Sequence, residues 1–356
     1  MHGHRHAVAI ALLLAAPRLF AACEETLRPA LVRELTAPAL KYAGSVAWLD
    51  DEAVAIGAAG GVFEYTLADG ALRNLVPSRP IPHGLGNVED VASDGRTLVA
   101  FNDDYSDLAY DLTSAKLVSA QRGPAFEVID LAVRDDTLVL LGFPAVAKLE
   151  EGGALWIAKL GAKRDAFRLL HQVDDEAVEN LRSCLPPFGG ATLVQEDGTI
   201  AMITAAEPGV RRFRPDGTPL PTLGAGLHEL VVPRIHEVRQ YAADIMRRYR
   251  VLNAQPIGVD LIETSQGLAI VVRRVSKATV WWELWFPGPG GGTRRRIRLA
   301  AQDERVIGGH MRCDARGNRV ACMFGKAVQP SGFGGERPHL LLFDLGDVTR
   351  KGACGS

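Results

Sequence analysis

Asp90 in EDVA, Asp130 in IDLA, Asp260 in VDLI and His310 in GHMR each stand near the start of a short apolar run, and the runs recur along the chain. Gathered about one axis, three carboxylates and an imidazole could bind a hard cation such as Ca²⁺, or hold a general base with a perturbed pKa. Glu89 and Asn87 stand just before the first of these and could add oxygen ligands. Ser45 and Gly190 take the same place in the two remaining runs. The plainer reading, that acidic residues opening a strand bond backbone amides, is the favoured one.

Other polar motifs read as surface. NDDYSD (residues 102 to 107) lacks the glycine and terminal glutamate of an EF-hand loop. GPGGG (288 to 292) runs into the strand-like TRRRIRL without the helix or GK[ST] that a phosphate loop needs, so it is a hairpin tip. HELVVPRIH does not have HExxH spacing, and no CxxC or His/Cys cluster marks a metal site.

The elements that must position the acidic residues are hairpins. SVAWLDDEAVAIGA, VEDVASDGRTLVAF, VIDLAVRDDTLVLLGF, GATLVQEDGTIAMIT, GVDLIETSQGLAIVV and GGHMRCDARGNRVACMF each place two β-rich runs around a tight turn. Asp94-Gly95, Asp197-Gly198 and Gly317-Asn318 tolerate the positive φ that such turns need. A second hairpin comes after each one, as in GVFEYTLADGALRNL and HLLLFDLGDVTR. Four strands per unit, repeated six times, predict an all-β, six-bladed β-propeller whose inner strands line a central channel. Leu31 to Pro38 is expected to supply the outer strand of the last blade and close the ring. In VWWELWF, Trp282 and Leu284 should share one face and Trp281, Glu283 and Trp285 the other.

The 356 residues, 47% hydrophobic with 37 Gly and 20 Pro, suit such a fold, and a net charge of −2 gives no reason to expect nucleic acid. The turns joining first to second and third to fourth strands are short. The connections 76 to 87, 173 to 189 and 223 to 257, with the loops 102 to 108, 143 to 153 and 325 to 339, are long and fall on the opposite face, which becomes the expected working surface. One of them carries RIHEVRQYAADIMRRYRV, an amphipathic helical pattern inserted between the fourth and fifth blades (about 225 to 254). Its basic face, Arg239, Arg247 and Arg248, is a candidate partner surface, although packing as a strut is the plainer reading.

With its DG turns and closing HLLLFDLGDV, the unit pattern resembles the six-bladed propellers grouped with NHL-repeat, TolB-like and gluconolactonase-like proteins. The WD dipeptide of WD40 blades, kelch glycine pairs and the YWTD signature are not evident. Calcium-dependent lactonases of this architecture use acidic and Asn residues at the channel mouth. The resemblance thus implies a metal-assisted hydrolase as the alternative to a binding module, with Glu89, Asp90, Asp130, Asp260 and His310 as its site. Calcium is the cofactor that alternative allows, and none is otherwise expected.

Residues 1 to 22 read as a signal peptide, with Arg5, an apolar run of ten from Ala7 to Ala16, and Ala21-Ala22. LFAAC resembles a lipobox, making Cys23 a lipidation candidate beside ordinary cleavage, with residues 23 to 356 as the propeller domain. The expectation is an exported monomer, periplasmic, an outer-membrane lipoprotein or extracellular, that binds a protein or small ligand through the loop-rich face. Cys313 and Cys322 leave two registers open. A two-residue Gly317-Asn318 turn would set them opposite each other for a disulfide, whereas the favoured five-residue turn with a glycine bulge would point them apart.

Overall fold

The computed structural model describes residues 24–40, 43–58, 61–76, 88–102, 107–114, 116–121, 126–144, 155–163, 166–173, 190–231, 256–276, 279–300, 310–325 and 338–351. Within them the chain is an all-β propeller of six sheets. Ahead of the first blade come β1 (Glu24–Leu27) and β2 (Leu31–Glu34). Blade one is β3 (Ser45–Trp48), β4 (Ala53–Ala58), β5 (Gly61–Thr66) and β6 (Leu72–Asn74), and blade two is β7 (Val88–Ser93), β8 (Thr97–Asn102), β9 (Asp107–Asp111) and β10 (Lys116–Gln121). Blade three holds β11 (Phe126–Arg134), β12 (Thr137–Pro144), β13 (Leu155–Lys159) and β14 (Arg168–His171). In blade four are β15 (Gly190–Val194), β16 (Ile200–Thr204), β17 (Val210–Phe213) and β18 (Pro219–Leu223). Blade five is β19 (Ile257–Thr264), β20 (Gly267–Ser276), β21 (Thr279–Pro287) and β22 (Thr293–Leu299), and blade six begins with β23 (His310–Arg316), β24 (Arg319–Gly325) and β25 (His339–Asp344), after which comes β26 (Thr349–Lys351).

Each blade is an antiparallel meander because its turns are built into the sequence. Asp94 Oδ1 accepts from the amides of Arg96 and Thr97, and Asp50 Oδ1 from those of Glu52 and Ala53, so the carboxylate rather than the next strand satisfies the turn. Gly95 and Gly198 take the positive φ these turns require, 84° and 79°.

The ring closes by the expected route. β2 pairs antiparallel with β25, Leu31 opposite Leu342, and so completes blade six with a strand from the other end of the chain. A second pairing of the chain ends was not expected. β1 runs parallel to β22 and β26 pairs with β1, which extends blade five to six strands and covers the edge of β22.

The core lies between blades. Ile129, Val139, Val194, Met202, Val259, Val271, Trp282, Met311 and Phe324 belong to one cluster spanning blades three to six. As expected, Trp282 and Leu284 are buried together in that cluster, while Trp285 packs on the other side against Ala191, Ile203 and Leu230. Trp281 is half-buried, and both Trp281 and Trp285 donate their indole N–H to Glu283 (2.7 and 2.6 Å).

The favoured register at Cys313 is corrected. Arg316 pairs with Arg319 across the two-residue turn, Cys313 faces Cys322, and the two are disulfide-bonded. Gly317 has φ +62° and Asn318 is not in the positive region, the pattern of a type II′ turn, which asks for glycine at its first central position. Gly317 supplies that, so the glycine starts the tight turn instead of forming a bulge after a longer one.

Candidate functional site

The innermost strands of blades two, three and five share an irregularity. Their register with the second strand slips once, between Val88 and Asp90, between Val128 and Asp130, and between Gly258 and Asp260. An extra residue at such a bulge has no ladder partner and re-aims its C-terminal neighbour. In all three strands that neighbour is an aspartate, turned out of its own sheet toward the next blade.

These aspartates are inter-blade straps. Asp90 Oδ1 accepts from the amide of Val91 (2.9 Å) and its Oδ2 from Leu131 N of blade three (3.3 Å). Asp130 Oδ2 accepts from Thr192 N of blade four (2.6 Å). Asp260 Oδ1 accepts from Leu261 N (2.8 Å) and its Oδ2 from Cys313 N of blade six (2.7 Å). A fourth strap closes the ring: Asp314 of blade six accepts from Ala315 N (2.8 Å) and from Trp48 N of blade one (2.7 Å). The indole of Trp48 donates to the carbonyl of Asp314 in return (3.1 Å).

The residue preceding a strapped amide is Asp130 in blade three and Arg312 in blade six, so Arg312 occupies the position that aligning the first strands gave to His310. His310 lies two residues earlier, at the first position of β23. Arg312 is buried and donates from Nη1 to Val259 O and from Nη2 to Ile129 O, both 2.9 Å. Val259 and Ile129 are the extra residues of two bulges, so the guanidinium satisfies carbonyls that bulging removed from their ladders. The same group stands 3.1 Å from Asp130 Oδ1 and 4.0 Å from Asp260 Oδ1.

Three carboxyls and one guanidinium therefore share a buried layer. Burial is the largest influence on Asp90 and raises its pKa well above the usual carboxylate range, aided by the neighbouring charge of Asp130. Burial likewise lifts Asp130 to about 6 and Asp260 to about 7, against the opposing pull of Arg312. The same three carboxylates hold the Arg312 guanidinium firmly charged despite its own burial.

The layer fits its own arginine better than a metal. Calcium asks for six to eight oxygens converging on one point. Here the amides of the next blades occupy carboxylate oxygens, and the guanidinium takes the cation's place. Among the described residues no group of three or more His, Cys, Asp or Glu is arranged to hold a metal ion.

Above this floor the channel widens into a funnel of about 710 Å³ that opens on the face of the short turns. Asp94, Arg134, Glu196, Glu263 and Arg316 line its upper wall. They too join blades: Asp94 accepts from Asp135 N (2.7 Å), Arg134 Nε donates to Val194 O (3.1 Å), and Glu263 accepts from Glu196 N (2.7 Å). Sequence reasoning named none of these rim residues as site candidates, and Asp94 entered it only as part of the Asp94-Gly95 turn. It missed Arg312 and Asp314 for a different reason, having read them as parts of a hairpin and its turn.

Several expected site residues fall elsewhere. The side chains of Glu89 and His310, and all of Cys23, Asn87, Arg239, Arg247, Arg248 and the long connections 77–87, 174–189 and 232–255, lie outside the described residues.

No protein-family model matches the sequence, and no curated protein matches it. Solved structures do resemble the fold. The WD40 repeats of RRP9 align over 89% of this chain and 99% of theirs at 13% identity and TM-score 0.51, and U3-55K over 90% and 100% at 12% identity and TM-score 0.50. A protein of unknown function from Bacteroides thetaiotaomicron VPI-5482 aligns over 91% of this chain and 76% of its own at 12% identity and TM-score 0.45. At these identities the likeness to the WD40 repeats of RRP9 and to U3-55K, neither of them specifically an NHL-repeat or TolB-like protein by its name, places the chain among β-propellers by fold alone.

Proposed function

We propose that the chain is an exported binding module that presents its loop-rich face to a protein or small-molecule partner. One observation carries this reading: the charged groups of the channel floor are committed to holding blades together, which leaves recognition to the faces of the ring. The sequence adds the asymmetry, short Asx turns on one face and long connections on the other. Export is supported by the leader pattern of residues 1 to 22 and by the disulfide between Cys313 and Cys322, a bond that persists in oxidising compartments. The Asp-Gly turns and HLLLFDLGDV favour a place near the NHL-repeat and TolB-like propellers.

Photo-crosslinking in the producing cell tests the reading. A crosslinker at Asn180 should give one discrete adduct and a crosslinker at Asp136, on the short-turn face, none. Adducts from Asp136 alone would move the partner to the funnel. A panel of lactones and esters should show no turnover with or without Ca²⁺. Calcium-dependent turnover that is lost in Asp130→Asn would establish the hydrolase instead.

A further inference from the structure

The funnel above the strap layer carries charge that the straps do not cancel. Seven carboxyl groups line it and its floor, against the guanidinium groups of Arg134, Arg312 and Arg316. Leaving out Asp90, whose burial favours its proton, carboxylates still outnumber guanidinium groups two to one. A strap fills a carboxylate lone pair with a neutral amide and leaves the formal charge in place. Inside a cavity walled by protein that charge is poorly screened, and the field concentrates there.

The upper wall leaves this imbalance open. Glu196 is exposed and its amide is engaged by Glu263, but no side chain among the described residues pairs with its carboxylate. Arg134 comes no nearer than 3.9 Å to Glu263, because its Nε is held by Val194 O (3.1 Å). Arg316 pairs through Nε with Asp51 (2.5 Å), which is not part of the funnel wall. Deeper down, Asp314 pairs with the amides of Trp48 and Ala315 only. The floor shows which guest suits such a lining: an organic cation, the Arg312 guanidinium, lies 3.1 Å from Asp130 and donates to two carbonyls. From Thr192, whose amide donates to Asp130, to Glu196 the chain advances four residues, at most about 13 Å at the rise of a strand. The volume of about 710 Å³ lies within the range of small-molecule sites, about 300–1,000 Å³.

We propose that the funnel on the short-turn face binds a small, elongated organic cation of the polyamine class, with one ammonium group at Glu196 and Glu263 and another at Asp314. The cavity supplies the shape, closed by the floor and open at one mouth, and the uncompensated carboxylates supply the sign. Arg312 keeps the guest off Asp130 and Asp260, since like charges repel, so the guest rests above the strap layer and leaves the straps intact. This site is separate from the loop-rich face and does not depend on a partner there.

Calorimetric titration of the purified protein with spermidine at pH 8 tests this. Burial holds Asp314 near 6, so it is ionised there. The expected result is saturable binding of one spermidine per chain and no binding of glutarate, a dicarboxylate. Glu196→Gln should weaken spermidine about two- to fivefold, the scale of one exposed ion pair, and adding Glu263→Gln should weaken it further. Glu52→Gln, which removes an exposed charge of the same face outside the funnel, should leave the affinity unchanged. Absence of spermidine binding, tighter binding of glutarate, or an affinity that Glu196→Gln leaves unchanged or Glu52→Gln lowers as much would each overturn the proposal. None of these outcomes touches the reading of the loop-rich face, which rests on crosslinking.

Discussion

Among the described residues, four of the six blade interfaces carry an aspartate strap near the channel floor, from blade two to three, three to four, five to six and six to one, and two do not, although Glu263 bridges blades four and five at the rim. Where the strap is missing, a glycine lets the sheets approach. At the first such interface a Cβ on Gly57 would come within 2.9 Å of Val88 and 3.1 Å of Val91 in blade two. At the other, between blades four and five, a Cβ on Gly258 would come within 2.7 Å of Ile203. Polar and apolar fastening thus do the same mechanical work by opposite means. Three of the four straps rely on a bulge, which frees an aspartate but orphans a carbonyl, and at two of these the buried Arg312 guanidinium restores the balance, whereas Asp314 leaves a regular ladder. The glycine contact demands nothing except the absence of a side chain.

If that comparison is right, the cation is the most vulnerable point. Arg312→Met would leave three buried carboxyls without their counter-charge and two bulge carbonyls without a donor. Losing one partner of a buried ionic cluster is expected to cost about 3–5 kcal/mol. Urea unfolding should show this as a large fall in midpoint, and adding Asp130→Asn and Asp260→Asn should recover part of it by removing the stranded charges. A variant as stable as the wild type would mean that the strapped interfaces do not depend on the arginine.

A smaller loss is expected at the interface that closes the ring. Asp314→Ala removes the acceptor for both Trp48 N and Ala315 N. Two buried amides left unsatisfied are expected to cost about 1–3 kcal/mol in the same urea experiment. Asp314→Asn, which keeps one acceptor oxygen, should lose roughly half as much.

These two residues also mark where the sequence stops being legible. The blades can be read because strand alternation and Asp-Gly turns are local, and the six first hairpins lie where SVAW, VEDVAS and their counterparts place them. Asp90, Asp130 and Asp260 can be aligned for the same reason. The bulges that aim them are settled by contacts between blades and leave no mark in EDVA or VDLI. Without the bulges, the aspartates suggest a cation site, and Arg312 in GGHMRC is hidden by the more suggestive histidine two residues before it. An arginine inside an otherwise apolar inner strand was the available signal. β26 has three residues and β1 four, too short for any period to reveal. The turn at Gly317 was misjudged because DARGN fits two turn types, and only the pairing of Arg316 with Arg319 chooses between them.

Strapped interfaces should also respond to pH. Burial holds Asp130 near 6 and Asp260 near 7, above the ordinary carboxylate value of about 4. Between about pH 4 and pH 7 the folded state therefore binds more protons than the unfolded chain, and stability falls as pH rises through that window. The urea midpoint is expected to be higher at pH 5 than at pH 8, with a weaker dependence in Asp260→Asn, whose side chain stays neutral. An Asn variant with the full wild-type slope would assign the pH dependence to other groups.

The strapless interface offers the smallest effect and the sharpest contrast. Ser45 is fully buried beside Gly57, and its hydroxyl has no hydrogen-bond partner among the described residues. A buried hydroxyl without a partner contributes desolvation and no bond. Ser45→Ala should therefore change stability by no more than about 0.5 kcal/mol, or raise it slightly, whereas an alanine at Asp314 is costly. A loss above about 1 kcal/mol for Ser45→Ala would show that this interface also depends on a polar contact, and the division of the ring into strapped and close-packed joints would fail.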